Sequence, residues 1–243
     1  VAIYVSSDWH GCSLSKIKDL LQKVSFGPED FLFVLGDIID RGEYGIDLLK
    51  YIMYEPNIEL IRGNHESMLL SCSFLFDEIT EDSIEAFDSE KLSLLRQWQS
   101  NGAEPTISAL THENIETRNA ILEYLFDTPL YDSVSVNDKN YFLVHAGLGN
   151  PRGNVLPKLV DVPEEDFIWT RIYKTTIYSE DFITIVGHTP TCTYSNRYAN
   201  RILKTDTWWD IDTGVTCGYS PMLLCLDTLK EYYIEEDGTV IER

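Results

Sequence analysis

Five short apolar segments of this chain end in the same way, and that repetition constrains the fold more than any other feature. Ala2 to Ser6 runs into Asp8, Phe31 to Leu35 into Asp37, and Ile58 to Ile61 into Asn64; Tyr141 to Val144 runs into His145, and Ile183 to Val186 into His188. Each segment is strand-sized, is rich in β-branched or aromatic residues, and stops at Gly or Ser near a side chain able to ligate a metal. Between the first three lie the helix-like stretches Leu14 to Val24 and Tyr44 to Tyr54. The pattern therefore predicts a βαβαβ unit with parallel strands and right-handed crossovers. In open α/β sheets ligands gather at the carboxyl ends of the strands, where these polar endings fall.

Residues 66 to 127 carry a helical period instead, with helices expected near Ser67 to Asp77, Asp88 to Gln99 and Asn114 to Phe126. They read as a helical insert at about 66–130 in a single domain spanning 1–243. Strands are expected again at Trp208 to Ile211, Met222 to Leu226 and Glu231 to Ile234, with a turn at Asp237-Gly238.

Charge narrows the function classes. Forty Asp and Glu against 19 Lys and Arg give a net charge of -21, which opposes a nonspecific grip on a nucleic-acid polymer or an anionic membrane. No apolar run approaches the ~20 residues that span a bilayer. Residues 2 to 5 already read as a strand, so no signal peptide is expected. The five cysteines, Cys12, Cys72, Cys192, Cys217 and Cys225, are scattered and include no C-x-x-C pair. That argues against a disulfide framework or a structural zinc site and fits reduced thiols in a cytoplasm, the expected location.

Asp8-Trp9-His10-Gly11 places a carboxylate and an imidazole two residues apart, a spacing that in extended chain sends both to one side. The stretch Gly36 to Gly42 adds Asp37, Asp40 and Arg41 on a turn, and Gly63-Asn64-His65-Glu66 adds an amide oxygen and a second imidazole. Each piece alone has a plain structural reading, as a solvated turn, a surface ion pair or a hydrogen-bonded strand-end histidine. Their conjunction is different. Four of the five histidines, His10, His65, His145 and His188, sit in these endings, and only His112 lies in the helical insert.

Asp8 to Gly11, Gly36 to Gly42, Arg62 to Glu66, His145 and Gly187-His188 together resemble the signature of the phosphoprotein phosphatases, within the calcineurin-like metallophosphoesterases. Phe167 to Arg171, Asp181 to Pro190 and Ile211 to Gly214 extend the resemblance along the chain. It implies an α/β sandwich of two mixed β-sheets flanked by helices. It also implies two divalent metal ions, the first held by Asp8, His10 and Asp37, the second by Asp37, Asn64, His145 and His188. Manganese is the family expectation; the mixed nitrogen and oxygen donors also suit Fe or Zn2+.

By the same resemblance Arg41 and Arg171 grip phosphoryl oxygens beside Asn64, and His65 protonates the leaving group with Asp40 holding its tautomer. Arg62 and Glu66 are expected to be structural. The implied reaction is phosphomonoester hydrolysis on a phosphorylated protein, of the serine/threonine phosphatase type. Diadenosine polyphosphate or nucleotide hydrolases share most of the pattern and form the alternative; a noncatalytic phosphate-sensing module is a third reading, opposed by the full ligand set. Two departures stand out: Ser7 replaces a usual Gly, so its backbone angles bear on the first metal, and Trp9 replaces a smaller apolar residue and is expected to be buried packing. Asp212 is expected either to orient a metal-bound histidine or to build a turn.

Overall fold

A computed structural model of the chain describes residues 1–78, 80, 87–149, 151, 157–235 and 237–243. The first three expected strands form as β1 (Ile3–Ser6), β2 (Phe31–Val34) and β3 (Ile58–Leu60), with helices α1 (Leu14–Lys23) and α2 (Gly45–Tyr54) between them. They pair in parallel, Val5 opposite Phe33 and Phe33 opposite Glu59. The tail strands β9 (Met222–Cys225), β10 (Glu231–Ile234) and β11 (Val240–Glu242) add to the free edge of β1 by antiparallel pairing, in the order β11-β10-β9-β1-β2-β3.

A second sheet holds β4 (Tyr131–Val136), β5 (Lys139–Val144), β6 (Ile183–Val186), β7 (Leu203–Lys204) and β8 (Trp208–Asp210), in the order β4-β5-β6-β8-β7. Both sheets are mixed: β5, β6 and β8 run parallel while β4 and β7 are antiparallel edges.

The apolar runs do not alternate with polar residues because both faces of these strands are buried. In β2, Phe33 points into the core between the sheets while Leu32 and Val34 point to the helices. In β5, Tyr141 and Leu143 join the same inter-sheet core, and Phe142 and Val144 pack outward with Phe167 and Ile168 of α7 (Glu164–Trp169). Two stacked sheets with helical cover thus bring the carboxyl ends of five strands together at one rim.

Among the described residues the remaining α-helices are α3 (Asn64–Ser71), α4 (Ser89–Ser100), α5 (Glu104–His112) and α6 (Ile115–Asp127). The helix expected at Ser67–Asp77 instead starts at Asn64 and gives way to a 3-10 turn at Ser73–Phe76. Its early start has a local cause: the Glu66 carboxylate reaches back to the Gly63 N–H at 3.0 Å, which begins the helix on the Asn-His-Glu motif itself. Asp88 and Asn114 are caps rather than helical residues, accepting from Lys91 N–H at 2.9 Å and Thr117 N–H at 2.8 Å.

Helix α5 and strand β4 were not expected from the sequence. The first carries Pro105 in its opening turn, where a missing N–H costs nothing. The second is an exposed edge, joined to β5 by Asn137 and Asp138, both at positive φ as a tight hairpin turn requires. The Asp237-Gly238 turn forms as expected, with Gly238 donating to the Glu235 carbonyl at 2.9 Å. No helix among the described residues is long and apolar enough to cross a membrane.

Candidate metal centre

The loops leaving β1, β2 and β3 meet those leaving β5 and β6 at this rim. Asp8 N–H donates to the Gly36 carbonyl at 3.1 Å and His10 N–H to the Asp37 carbonyl at 2.9 Å, lacing the first two loops together. Gly42 is pressed against the backbone of Gly11 so closely that a Cβ on either would clash. Glu66 is fully buried and clamps the next pair of loops, its carboxylate accepting the N–H groups of Asp37 at 2.9 Å, Ile38 at 2.8 Å and Gly63 at 3.0 Å.

Metal-capable donors converge in two groups that share one residue. His10, Asp37 and His65 offer ligand atoms within 4.8 Å of one another, as do Asp37, His145 and His188. His145 donates from Nδ1 to the Leu35 carbonyl at 2.6 Å, which leaves Nε2 facing Asn64 Oδ1 at 3.0 Å and Asp37 Oδ1 at 3.4 Å. His188 Nδ1 lies 2.9 Å from the same Asn64 oxygen. Imidazole nitrogens and carboxamide or carboxylate oxygens that point at one another in this way suit a cation between them.

Asp8 borders the first group without entering it: its Oδ1 is 3.8 Å from His10 Nε2, and its carboxylate accepts the His188 N–H at 3.0 Å and the Ser7 hydroxyl. His65 enters that group through Nε2, 3.8 Å from Asp37 Oδ2, while Nδ1 is held by Asp40 Oδ2 at 2.6 Å.

The electrostatics fit a polyvalent cation. Asp8, Asp37, Asp210 and Asp212 are all buried, and none makes an ion pair with Lys or Arg among the described residues. Burial lowers the pKa of His10 to about 3, helped by the charges of His65 and Arg41. Burial likewise takes His188 to about 3, with His145 and Arg171 contributing. Both rings are therefore neutral at pH 7, as a ligand must be. Burial works against the charged form of His145, but Asp37 and Asp8 outweigh it and raise that pKa to about 10, so this ring would have to release its Nε2 proton to take a cation. Burial pushes Asp212 up to about 7.

The sequence profile described as calcineurin-like phosphoesterase matches residues 1–215, most of the chain. The chain belongs to that family. Among curated relatives, the symmetrical bis(5'-nucleosyl)-tetraphosphatase of Haemophilus ducreyi is 39% identical over 74 residues, which is 29% of this chain and 27% of that protein. The match thus spans less than a third of the relative's length. A solved structure named "Crystal structure of a putative diadenosine tetraphosphatase" aligns over 100% of this chain and 92% of its own, at 17% identity and a TM-score of 0.61. A Saccharomyces cerevisiae protein serine/threonine phosphatase aligns over 100% of this chain and 79% of its own, at 15% identity and a TM-score of 0.53. At these identities the two structures share the fold alone. The phosphatase resemblance in the sequence is thus carried at the level of the phosphoesterase family, while the curated relative bears a nucleotide hydrolase name.

The structure places the other residues singled out in the sequence of this phosphoesterase as follows. Ser7 has no left-handed backbone; the strain sits on the site residues, since Asp8, His10, Asp37, Asp40, Arg41 and His188 all have φ between 40° and 68°. Such angles cost about 1 kcal/mol or more each and persist where surrounding structure over-determines them. Trp9 is buried, as expected, with its indole N–H on Ser6 Oγ at 2.7 Å. Asp212 builds a turn, its Oδ1 accepting the Gly214 N–H at 2.9 Å, while the charge of His145 bears on its carboxylate. Arg62 is structural, donating to the Thr128 carbonyl and lying 3.5 Å from Glu164.

Arg41 places Nη2 3.5 Å from His65 Nε2, and Arg171 is exposed near enough to His188 for its charge to bear on that ring. Three residues of the helical insert went unread. Trp98 Nε1 donates to Asp40 Oδ2 at 2.7 Å, Thr106 Oγ1 to Asp40 Oδ1 at 2.6 Å, and the Gly102 carbonyl accepts the Arg41 N–H at 2.8 Å. A tryptophan near the end of a helix that otherwise carries Leu92, Leu94 and Leu95 among polar residues was the one signal available for them.

Proposed function

We propose that this phosphoesterase hydrolyses a dinucleoside polyphosphate, using two divalent cations, manganese first and Fe or Zn2+ as alternatives. The observation that carries the two-cation centre is the sharing of Asp37 between two donor groups, with Asp8 taken as a ligand of the first in place of His65, whose ring Asp40 holds. In this proposal Asp8, His10 and Asp37 hold one ion, Asp37, Asn64, His145 and His188 hold the other, and residues 1–243 act as a single domain with its helical insert at about 66–130. Two such ions, when bound, acidify a water for attack on phosphorus and offset the charge of the phosphoryl oxygens.

The chain's own residues supply the rest. Arg41 and Arg171 grip the phosphoryl group from the solvent side with planar forks, and Asn64 orients it. The His65 imidazole, raised above its ordinary pKa because Asp37 and Asp40 outweigh the opposing effect of burial, delivers a proton from Nε2 to the departing oxygen. Asp40 fixes the ring so that Nε2, rather than Nδ1, faces the reaction. The name of the Haemophilus relative supports a dinucleotide as substrate.

One observation favours a second reading, a phosphomonoester on a protein side chain. A serine or threonine alkoxide leaves poorly without a proton, whereas a nucleoside phosphate leaves readily, and the His65-Asp40 pair is built for proton delivery. A panel of diadenosine tetraphosphate, a phosphoserine peptide and nitrophenyl phosphate, assayed with manganese-loaded protein, separates the two. Highest kcat/KM on the dinucleotide supports the first reading and highest kcat/KM on the phosphopeptide supports the second. Two bound metals with no turnover of any ester would leave the phosphate-sensing module.

A further inference from the structure

Cys72 and Cys225 are buried and Cys12 is half-buried beside the first loop, but Cys192 and Cys217 stand apart from them. These two free thiols, 25 residues apart in sequence, bring their Sγ atoms to 3.4 Å. Cys192 lies in the 3-10 turn Thr191–Thr193, just beyond His188, and Cys217 ends the 3-10 turn Val215–Cys217. The backbone holds the turns together: Thr191 N–H donates to the Asp212 carbonyl at 2.9 Å, and the Asp212 carboxylate takes the Gly214 N–H at 2.9 Å. The thiols therefore face each other across a hydrogen-bonded base, not through a chance meeting of mobile side chains.

A disulfide has an S–S length of about 2.05 Å, so the sulfurs stand roughly 1.4 Å short of bonding. The space beside the adjoining Gly218 is open, so a small disulfide can approach the exposed Cys217 from that side. Cys217 is exposed and Cys192 half-buried, which orders the chemistry. Burial, with the neighbouring Cys217 thiol, pushes Cys192 up to about 11, consistent with its reacting second.

We propose that Cys192 and Cys217 form a thiol–disulfide exchange site that reacts reversibly with small disulfides and, when closed, slows the phosphoesterase. The Cys217 thiolate attacks one sulfur of a small disulfide, breaking its S–S bond, releasing one small thiolate and leaving a mixed disulfide on Cys217. The Cys192 thiolate then attacks the Cys217 sulfur and displaces the second small thiolate. Two protein thiols lose two protons and two electrons, and the small disulfide gains both as two thiols. The bond ties the loop that carries His188 to the turn built by Asp212, and so reaches the metal centre through backbone already linked at Thr191.

The test treats manganese-loaded protein with glutathione disulfide, then counts thiols after denaturation and maps peptides. Titratable thiols should fall from five to three, with Cys192 joined to Cys217 inside one chain. Nitrophenyl phosphate turnover should fall and return with dithiothreitol, and Cys217→Ser and Cys192→Ser should each abolish the response. A lasting mixed disulfide on Cys217 with Cys192 still free, or five thiols unchanged, would overturn the exchange site. An intramolecular bond with full turnover would overturn the coupling to the metal centre. The thiol count stands whichever phosphate ester proves to be the substrate.

Discussion

Asp40 Oδ2 accepts the His65 Nδ1–H at 2.6 Å and, on the same oxygen, the Trp98 indole N–H at 2.7 Å. Thr106 occupies the other oxygen, so the carboxylate cannot rotate away from the ring. His65 therefore presents Nε2 toward Asp37 and Arg41, and the helical insert, through α4 and α5, sets its direction.

Replacing His65 by Asn should retain bound metal but slow phosphoserine hydrolysis by about 10²- to 10⁴-fold, the usual worth of a general acid. Nitrophenyl phosphate, whose leaving group needs far less protonation, should slow much less. Asp40→Asn should shift rates the same way to a smaller degree. Steady-state kcat/KM on the two substrates checks this, and equal losses would remove the acid role.

Glu66→Gln should destabilise the fold by about 1 to 3 kcal/mol, because an amide NH2 would confront N–H groups that the carboxylate now accepts. Urea unfolding at fixed metal concentration measures it. A change within error would show that the clamp on the Asp37 and Gly63 loops is dispensable.

Divalent metal should raise thermal stability, since four buried aspartates have no Lys or Arg partner among the described residues. At a free concentration a hundredfold above Kd the gain is about 2.7 kcal/mol for one site. Thermal melts with and without manganese, after chelation, check it; identical midpoints would contradict a cation at Asp37.

How far the sequence disclosed this arrangement depends on distance along the chain. The strand endings were legible because each ligand follows its own apolar run, and burial on both sheet faces made those runs continuous, as with Leu32, Phe33 and Val34. The support for Asp40 was not, because Trp98 and Thr106 reach it from helices whose docking depends on tertiary packing. Nor was the left-handed backbone at Asp37 and His188, since Asp and His carry no glycine-like mark of it. The approach of Cys192 to Cys217 needed the Thr191–Asp212 hydrogen bond, which no spacing reveals.

Asp37 serving two metal ions at once is the centre of the proposed chemistry, and metal analysis joined to turnover tests it directly. Wild-type protein should bind two manganese ions per chain and hydrolyse a phosphate ester, Asp37→Asn should lose both the metal pair and turnover, and His112→Ala should lose neither. Asp37→Asn protein that kept two bound ions and full turnover would contradict it.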